Sequence, residues 1–254
     1  MKISVVINTF NSESTLRDCL EGVKSFDEII ICDMYSEDNT LAIAKEYNTQ
    51  IIMHERCGGI VEPARDLAIK SATSEWILIV DSDEVVLPHL KNYLYQIIHS
   101  ENSLAGLLVP RKNYFMNKYM RADFPDYQFR FFRKSKYINW PVTIHSRPII
   151  EGKIDKIPAK KSLALDHLDK NRIGNTLFKM ARYSDRELEK RTDKKENLIT
   201  LILKPFFLFC KFYFFKLGFL DGIEGFIFCR FKAYSKFLTI SRVLERKKLN
   251  ISEY

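Results

Sequence analysis

Asp81-Ser82-Asp83 follows directly on Trp76-Ile77-Leu78-Ile79-Val80, an apolar run that reads as a buried strand ending at Asp81. Carboxylates flanking one residue at a strand end can face a single cleft, one directly and one through the water shell of a cation. Hard divalent cations such as Mg²⁺ and Mn²⁺ take oxygen ligands and often use few carboxylates, with substrate phosphates completing the shell. A cation held there stabilises the charge that develops on a departing diphosphate. An isolated Asp-x-Asp is most often a solvated turn. Two earlier strands that end in polar residues argue otherwise: Ile3 to Ile7 runs into Asn8-Thr9-Phe10-Asn11, and Glu28 to Cys32 runs into Asp33.

These tips need a scaffold that brings them together. Helical spacing of Leu16, Cys19, Leu20 and Val23 predicts a helix over 12–24, and Ser12 or Ser14 can cap it. Further helices are expected over 39–47, 62–71 with Pro63 in its first turn, and 88–98, with a short strand at 50–53. Strand-helix alternation with short connections gives an α/β fold on a mostly parallel sheet, and ligands bind such sheets beyond the carboxyl ends of the strands. Beyond residue 104 the pattern is less regular. Strands are expected at Leu107–Val109, Phe129–Phe132 and Ser162–Leu165, and a long polar helix over 172–190. Alternation along Gln128-Phe129-Arg130-Phe131 places Gln128 and Arg130 on one face, able to hold acceptor or diphosphate, and the two phenylalanines on the other.

Charge is unevenly spread. Residues 170–254 hold 19 Lys and Arg against 9 Asp and Glu, within a chain of net charge +8. Leu198 to Leu220 is rich in Leu, Ile and Phe but broken by Lys204, Pro205, Lys211 and Lys216, too interrupted for a spanning helix by a strict reading. Two readings fit: a helix lying in a membrane interface with its lysines toward anionic headgroups, or a helical cover packed on the domain; the first is preferred. Nucleic acid is disfavoured, since the basic residues are interleaved with Phe clusters and no nucleic-acid module is visible. Five scattered cysteines without paired spacing suit a reducing compartment.

Four motifs in order carry a resemblance: Ser4-Val5-Val6-Ile7-Asn8-Thr9-Phe10-Asn11; Asp27 to Asp33 with Ser36, Asp38 and Thr40; Ala64-Arg65-Asp66-Leu67-Ala68; and Glu75 to Glu84. Together they resemble family 2 glycosyltransferases, over about residues 1–100. The resemblance implies a GT-A fold, a Rossmann-like sheet that binds a nucleotide-diphosphate sugar, and an inverting transfer by direct displacement. It implies that Thr9 and Phe10 contact the nucleoside, with Phe10 against the base, that Asp33 bonds the base, and that Arg65 lies near the nucleotide and its phosphates. Asp81 would meet the ribose or a cation-bound water, and Asp83 the Mn²⁺ or Mg²⁺ itself. Asn8 stands where the family often has Pro.

The second half is similar to the small transferases of lipopolysaccharide core and related glycans, through Pro125 to Arg133, Ile144-His145, Asp166-His167, Lys179, Tyr183 and Leu217 to Phe226. Ser146 replaces the Glu usual after His145. An inverting transfer needs a general base, and Asp126, preceding a strand, is the candidate. His145 or His167 can complete the cation site or touch the diphosphate. The expected organisation is a nucleotide-sugar-binding and catalytic domain over 1–190 and a basic, aromatic-rich helical extension over 191–254. The expected partners are a UDP-sugar-type donor, a glycan or glycolipid acceptor and the cytoplasmic face of the inner membrane. A nucleotidylyltransferase would open on a Gly-rich basic loop, where this chain reads Asn8 to Glu13. A non-catalytic nucleotide-binding scaffold would have lost the Asp81/Asp83 pair.

Overall fold

Continuous apolar runs, buried on both faces, build the centre of the sheet. In the computed structural model, which describes residues 1–56, 61–100, 103–141, 147–168, 173–174, 176–178, 180–181, 184 and 196–249, strands β1 (Ile3–Thr9), β2 (Glu28–Asp33), β3 (Gln50–Met53) and β4 (Trp76–Asp81) pair in parallel, in the order β3-β2-β1-β4. Helices α1 (Glu13–Val23), α2 (Thr40–Lys45), α3 (Glu62–Ser71) and α4 (Pro88–His99) connect and flank them. Even-numbered residues of β1 and odd-numbered residues of β4 pack on the α3 side, with Ala64, Ala68 and Ile69. The alternate residues pack on the α1 and α4 side, with Leu16, Leu20, Leu90 and Leu94.

The second half departs from the expected parallel arrangement. Strand β5 (Glu84–Val86) follows β4 after a two-residue turn, β6 (Leu104–Phe115) is long, and β8 (Asp126–Arg133) lies antiparallel between β4 and β6. Strand β12 (Leu165–His167) pairs parallel with β6 and antiparallel with β5. The expected Ser162–Leu165 strand is displaced, because a 3₁₀ turn occupies Lys161–Leu163. Short strands β7 (Lys118–Tyr119) and β11 (Lys153–Lys156) pair with β6, while β9 (Tyr137–Asn139) and β10 (Ile149–Ile150) form a separate ribbon.

One bulge overturns the alternation expected on β8. Leu107 pairs with Phe131 but Leu108 pairs with Phe129, so Arg130 is the extra residue. Phe131 consequently enters the α1-side core beside Trp76, and Phe129 enters the α3-side core with Phe132. A bulge re-aims the side chain it carries. Gly106 permits the local approach, since a Cβ there would stand 2.7 Å from the Phe129 ring.

The chain divides into two compact units, one of residues 1–113 with 125–168 and one of 114–124 with 169–254. The division differs from the expected boundary near 190, because the segment 114–124 joins the C-terminal helices. In that second unit Asn197 caps the Leu198–Cys210 helix, which continues as a π-helical turn over Lys211–Phe215, and Gly222–Leu249 is one long helix. The helical run 198–215 is long and apolar enough to cross a membrane, and none of it is buried. Its length of about 27 Å is enough for a span, although Lys204 and Lys211 interrupt it. Most of the polar helix expected over 172–190, with Lys179 and Tyr183, lies outside the described residues.

Candidate functional site

The tips of β1 and β2 are tied by a buried carboxylate. Thr9 and Asp33 are adjacent in register and fully buried. Asp33 accepts from the Thr9 hydroxyl at 2.6 Å, from the Ser36 hydroxyl at 2.7 Å and from the Ser36 N–H at 2.8 Å. The turns beyond both strands are locked to each other: the Asn11 N–H donates to Ser36 Oγ, and Asn11 Oδ1 accepts from the Glu37 N–H, both at 2.9 Å. Asn11 and Tyr35 pay for these turns with left-handed backbones, φ 48° and 58°. Phe10, half-buried, carries the Arg56 guanidinium 4.0 Å above its ring.

On the other face of the sheet Asn8 and Asp81 stand side by side in register. Asp81 accepts from Arg65 on α3 at 2.7 Å, and from both terminal nitrogens of Arg130, re-aimed by the bulge. Burial opposes ionisation of Asp81, but the charges of Arg130 and Arg65 outweigh it and hold the carboxyl well below the usual range. Glu84, fully buried, anchors the turn by accepting from the Asp81 N–H at 3.0 Å. Its other oxygen accepts from Arg130 at 3.0 Å and from Arg111 at 3.1 Å.

From Arg111 the network continues across the sheet. Asp126 accepts from Arg111 at 2.7 and 3.0 Å, from Asn113 at 3.1 Å and from Gln128 at 2.8 Å. Burial raises its pKa; the Arg111 charge and these hydrogen bonds lower it further, so Asp126 is held ionised and less basic than a free carboxylate. Asn113 Oδ1 lies 2.9 Å from His167 Nδ1, and His167 Nε2 lies 3.3 Å from Asp83 Oδ2. The chain of contacts thus returns to the acidic turn, whose Asp83 carbonyl accepts from the Leu168 N–H at 2.9 Å. Burial works against protonation of His167, and the hydrogen bond and charge of Asp83 outweigh it, so its pKa is raised.

The structure therefore gathers Arg65, Asp81, Asp83, Asp126, Gln128, Arg130 and His167 into one network, with Thr9, Phe10 and Asp33 at the neighbouring tips; His145 lies outside the described residues. Both oxygens of Asp81 are engaged by guanidinium groups. Asp83 and His167 supply one carboxylate and one imidazole, a donor set that fits Mn²⁺ and, less well, the oxygen-seeking Mg²⁺. Among the described residues no three His, Cys, Asp or Glu side chains converge, so a cation here needs further ligands from substrate oxygens. Sequence reasoning missed Glu84, Arg111 and Asn113 as site residues. Their signal was charged and amide groups at alternate positions of a strand, Arg111 and Asn113, in line with the Asp126 side chain. Unspent hydrogen-bonding capacity also concentrates here: Asn8 Nδ2 and Oδ1, Arg65 Nε and Arg130 Nε are buried without partners. Buried groups of that kind require an explanation, and a polar ligand is one.

Comparisons with known proteins bear on the family and the fold. The model of the family described as Glycosyl transferase family 2 matches residues 4–155. An uncharacterized glycosyltransferase of Rickettsia conorii is 25% identical over all of this chain and 95% of its own length. A lipopolysaccharide core biosynthesis glycosyltransferase of Rhizobium meliloti, LpsC, is 23% identical over 98% of this chain and 94% of its own. Among solved structures, TarS 1-349 of S. aureus superposes with a TM-score of 0.52 at 17% identity, covering 100% of this chain and 93% of its own, which establishes a shared GT-A architecture. TarS has also been solved with UDP and with UDP-GlcNAc.

Proposed function

The chain belongs to glycosyl transferase family 2, and from that premise we propose that it is an inverting enzyme that moves a sugar from a UDP-sugar to a glycan or lipid-linked acceptor such as lipopolysaccharide core. The observation that carries this reading is the continuous network from Arg65 through Asp81, Arg130, Glu84, Arg111, Asp126, Asn113 and His167 to Asp83, set beside the Thr9–Asp33 tip. This support lies in cationic groups, hydrogen-bond acceptors and a candidate base joined by contacts near the carboxyl ends of the parallel strands, where nucleotides bind such sheets. The uridine donor is supported by the UDP complexes of TarS, and the acceptor class by LpsC.

In this reading Phe10 and Asp33 receive the base, and Arg65 and Arg130 exchange part of their pairing with Asp81 for donor phosphate oxygens, a geometry to which guanidinium is suited. Asp83 and His167 would hold a divalent cation, which would neutralise charge on the leaving diphosphate. The acceptor hydroxyl attacks the anomeric carbon as the bond to the diphosphate oxygen breaks, and its proton passes to Asp126. Arg111 keeps Asp126 ionised and ready; its low basicity suits a proton taken late, when the attacking oxygen has become acidic. The exposed helix over 198–215 and the basic character beyond residue 170 support attachment to the cytoplasmic face of an anionic membrane.

Thermal unfolding with UDP and Mn²⁺ tests the donor site. Ligand that binds the native state alone raises Tm, by about 2.7 kcal/mol of stabilisation at a hundredfold excess over Kd. The shift is expected with UDP and Mn²⁺ and lost in Asp83→Ala. No shift with any nucleoside diphosphate refutes the proposal.

A further inference from the structure

Asn113 occupies a position that neither the acidic turn nor the candidate base explains by itself. It sits near the end of β6, directly opposite His167 of β12 in register, with its side chain also reaching Asp126 of β8. It is 8% exposed, so both ends of its amide are committed inside the protein.

The orientation of that amide follows from its neighbours. The Asp126 carboxylate already accepts from Arg111 and Gln128 and, being ionised, has no hydrogen to give. The group that Asn113 turns toward Asp126 must therefore be its NH₂. Its carbonyl oxygen then faces His167 Nδ1 at 2.9 Å and can only accept, so the hydrogen of the imidazole resides on Nδ1. A neutral ring in that tautomer presents a lone pair on Nε2, and Nε2 stands 3.3 Å from Asp83 Oδ2. Two acceptors aimed at each other repel unless a proton, as in an ion pair with Asp83, or a divalent cation joins them. Backbone pairing of Leu168 with Asp83 and the Asn113 contact hold them together nonetheless.

We propose that Asn113 is a positioning residue, which fixes His167 as the Nδ1–H tautomer so that Nε2 and Asp83 together address a divalent cation, while its NH₂ aligns Asp126. The cation half rests on the reading given under Proposed function. Histidines that bind metals commonly donate their second ring N–H to an oxygen, and loss of that partner typically costs about 10- to 100-fold in metal affinity. One amide thus links the group that stabilises the leaving diphosphate to the group that takes the acceptor proton.

Two measurements on the full chain test it. The first is the imidazole ¹⁵N spectrum of the cation-free protein, recorded at a pH high enough for His167 to be neutral and assigned with His167→Gln. His167 is expected as Nδ1–H in wild type and in Asn113→Asp, which keeps an acceptor, and to shift toward Nε2–H in Asn113→Leu. The second is Mn²⁺ affinity by electron paramagnetic resonance with UDP present, expected to fall about 10- to 100-fold in Asn113→Leu. If the leucine variant does not fold, Asn113→Ala replaces it with the same expectations. A leucine or alanine variant that keeps the Nδ1–H tautomer overturns the proposal, as does one with wild-type Mn²⁺ affinity. A tautomer change in the variant, with no Mn²⁺ bound by wild type, overturns the cation reading and leaves the tautomer assignment standing.

Discussion

Glu84→Gln removes one charge and almost no volume from the centre of the network, and its consequence can be worked from the contacts. Glu84 is fully buried and gives one oxygen to both Arg130 and Arg111 and the other to the Asp81 N–H. Gln can satisfy either the guanidinium groups or the backbone N–H with its single oxygen, and turns an NH₂ toward the other. Arg130, whose side chain is 7% exposed, cannot recover the loss from water. Hydrogen bonds to charged groups contribute about 1.5–3 kcal/mol each, and breaking a buried pair from one side costs roughly 3–5 kcal/mol. At about 2–4 °C per kcal/mol for a chain of this size, the expected fall in Tm is near 10 °C. The assay is calorimetric unfolding of wild type, Glu84→Gln, Arg130→Met and the double variant. Because the two residues share one contact, the double variant should lose less than the two singles added together, by about 1–2 kcal/mol. A Tm within 2 °C of wild type for Glu84→Gln, or strict additivity, refutes the claim that this carboxylate holds the arginines in place.

Acid stability should report Asp81. Its folded pKa lies below its unfolded value, so its contribution is fully present above the ordinary carboxylate range and is lost as pH falls toward the folded pKa. Tm of wild type should drop below about pH 4 more steeply than that of Asp81→Asn, and parallel acid limbs would contradict the pairing. Membrane attachment should depend on Phe206 and Phe207, which are 57% and 62% exposed. Sedimentation with phosphatidylglycerol vesicles is expected to pellet wild type and to leave Phe206→Glu/Phe207→Glu in solution; equal pelleting would sink the assignment.

Legibility in the sequence followed the chemistry of each half of the sheet. Strands β1, β2 and β4 are covered on both faces, so they read as unbroken apolar runs, and helices over 62–71 and 88–99 carry Pro at their first turns. The tips Thr9, Asp33 and Asp81 were visible because each apolar run gives way to polar residues there. Strand β6 was read as three residues and extends over twelve, since Pro110-Arg111-Lys112-Asn113 looks like a loop until its partners are known. Arg111 and Asn113 are tolerated in a buried strand only because Glu84, Asp126 and His167, distant in sequence, satisfy them. The bulge at Arg130 had no signal in the alternation of β8, which reads as regular from Gln128 to Phe131.

That bulge also bears on why the antiparallel insertion matters. A β8 continued in regular alternation from Phe129 would send Arg130 and Phe131 to the faces opposite those they occupy, taking the guanidinium away from Asp81 and leaving that carboxylate with Arg65 alone. The parallel half of the sheet supplies the acids at its tips but just one of the arginines, Arg65 on α3. The other two, Arg130 and Arg111, come from β8 and β6. In the proposed donor site a diphosphate would meet guanidinium groups already neutralised by carboxylates, so buried charge would be exchanged rather than created. Exchange of partners avoids the cost of uncovering an unpaired buried ion, and it requires the arginines to be held from behind while their front contacts change. Glu84 holds Arg130 and Arg111 from inside the fold, where no substrate can displace it, and this is why its fully buried carboxylate, rather than the more exposed Asp81, is the place to break the network.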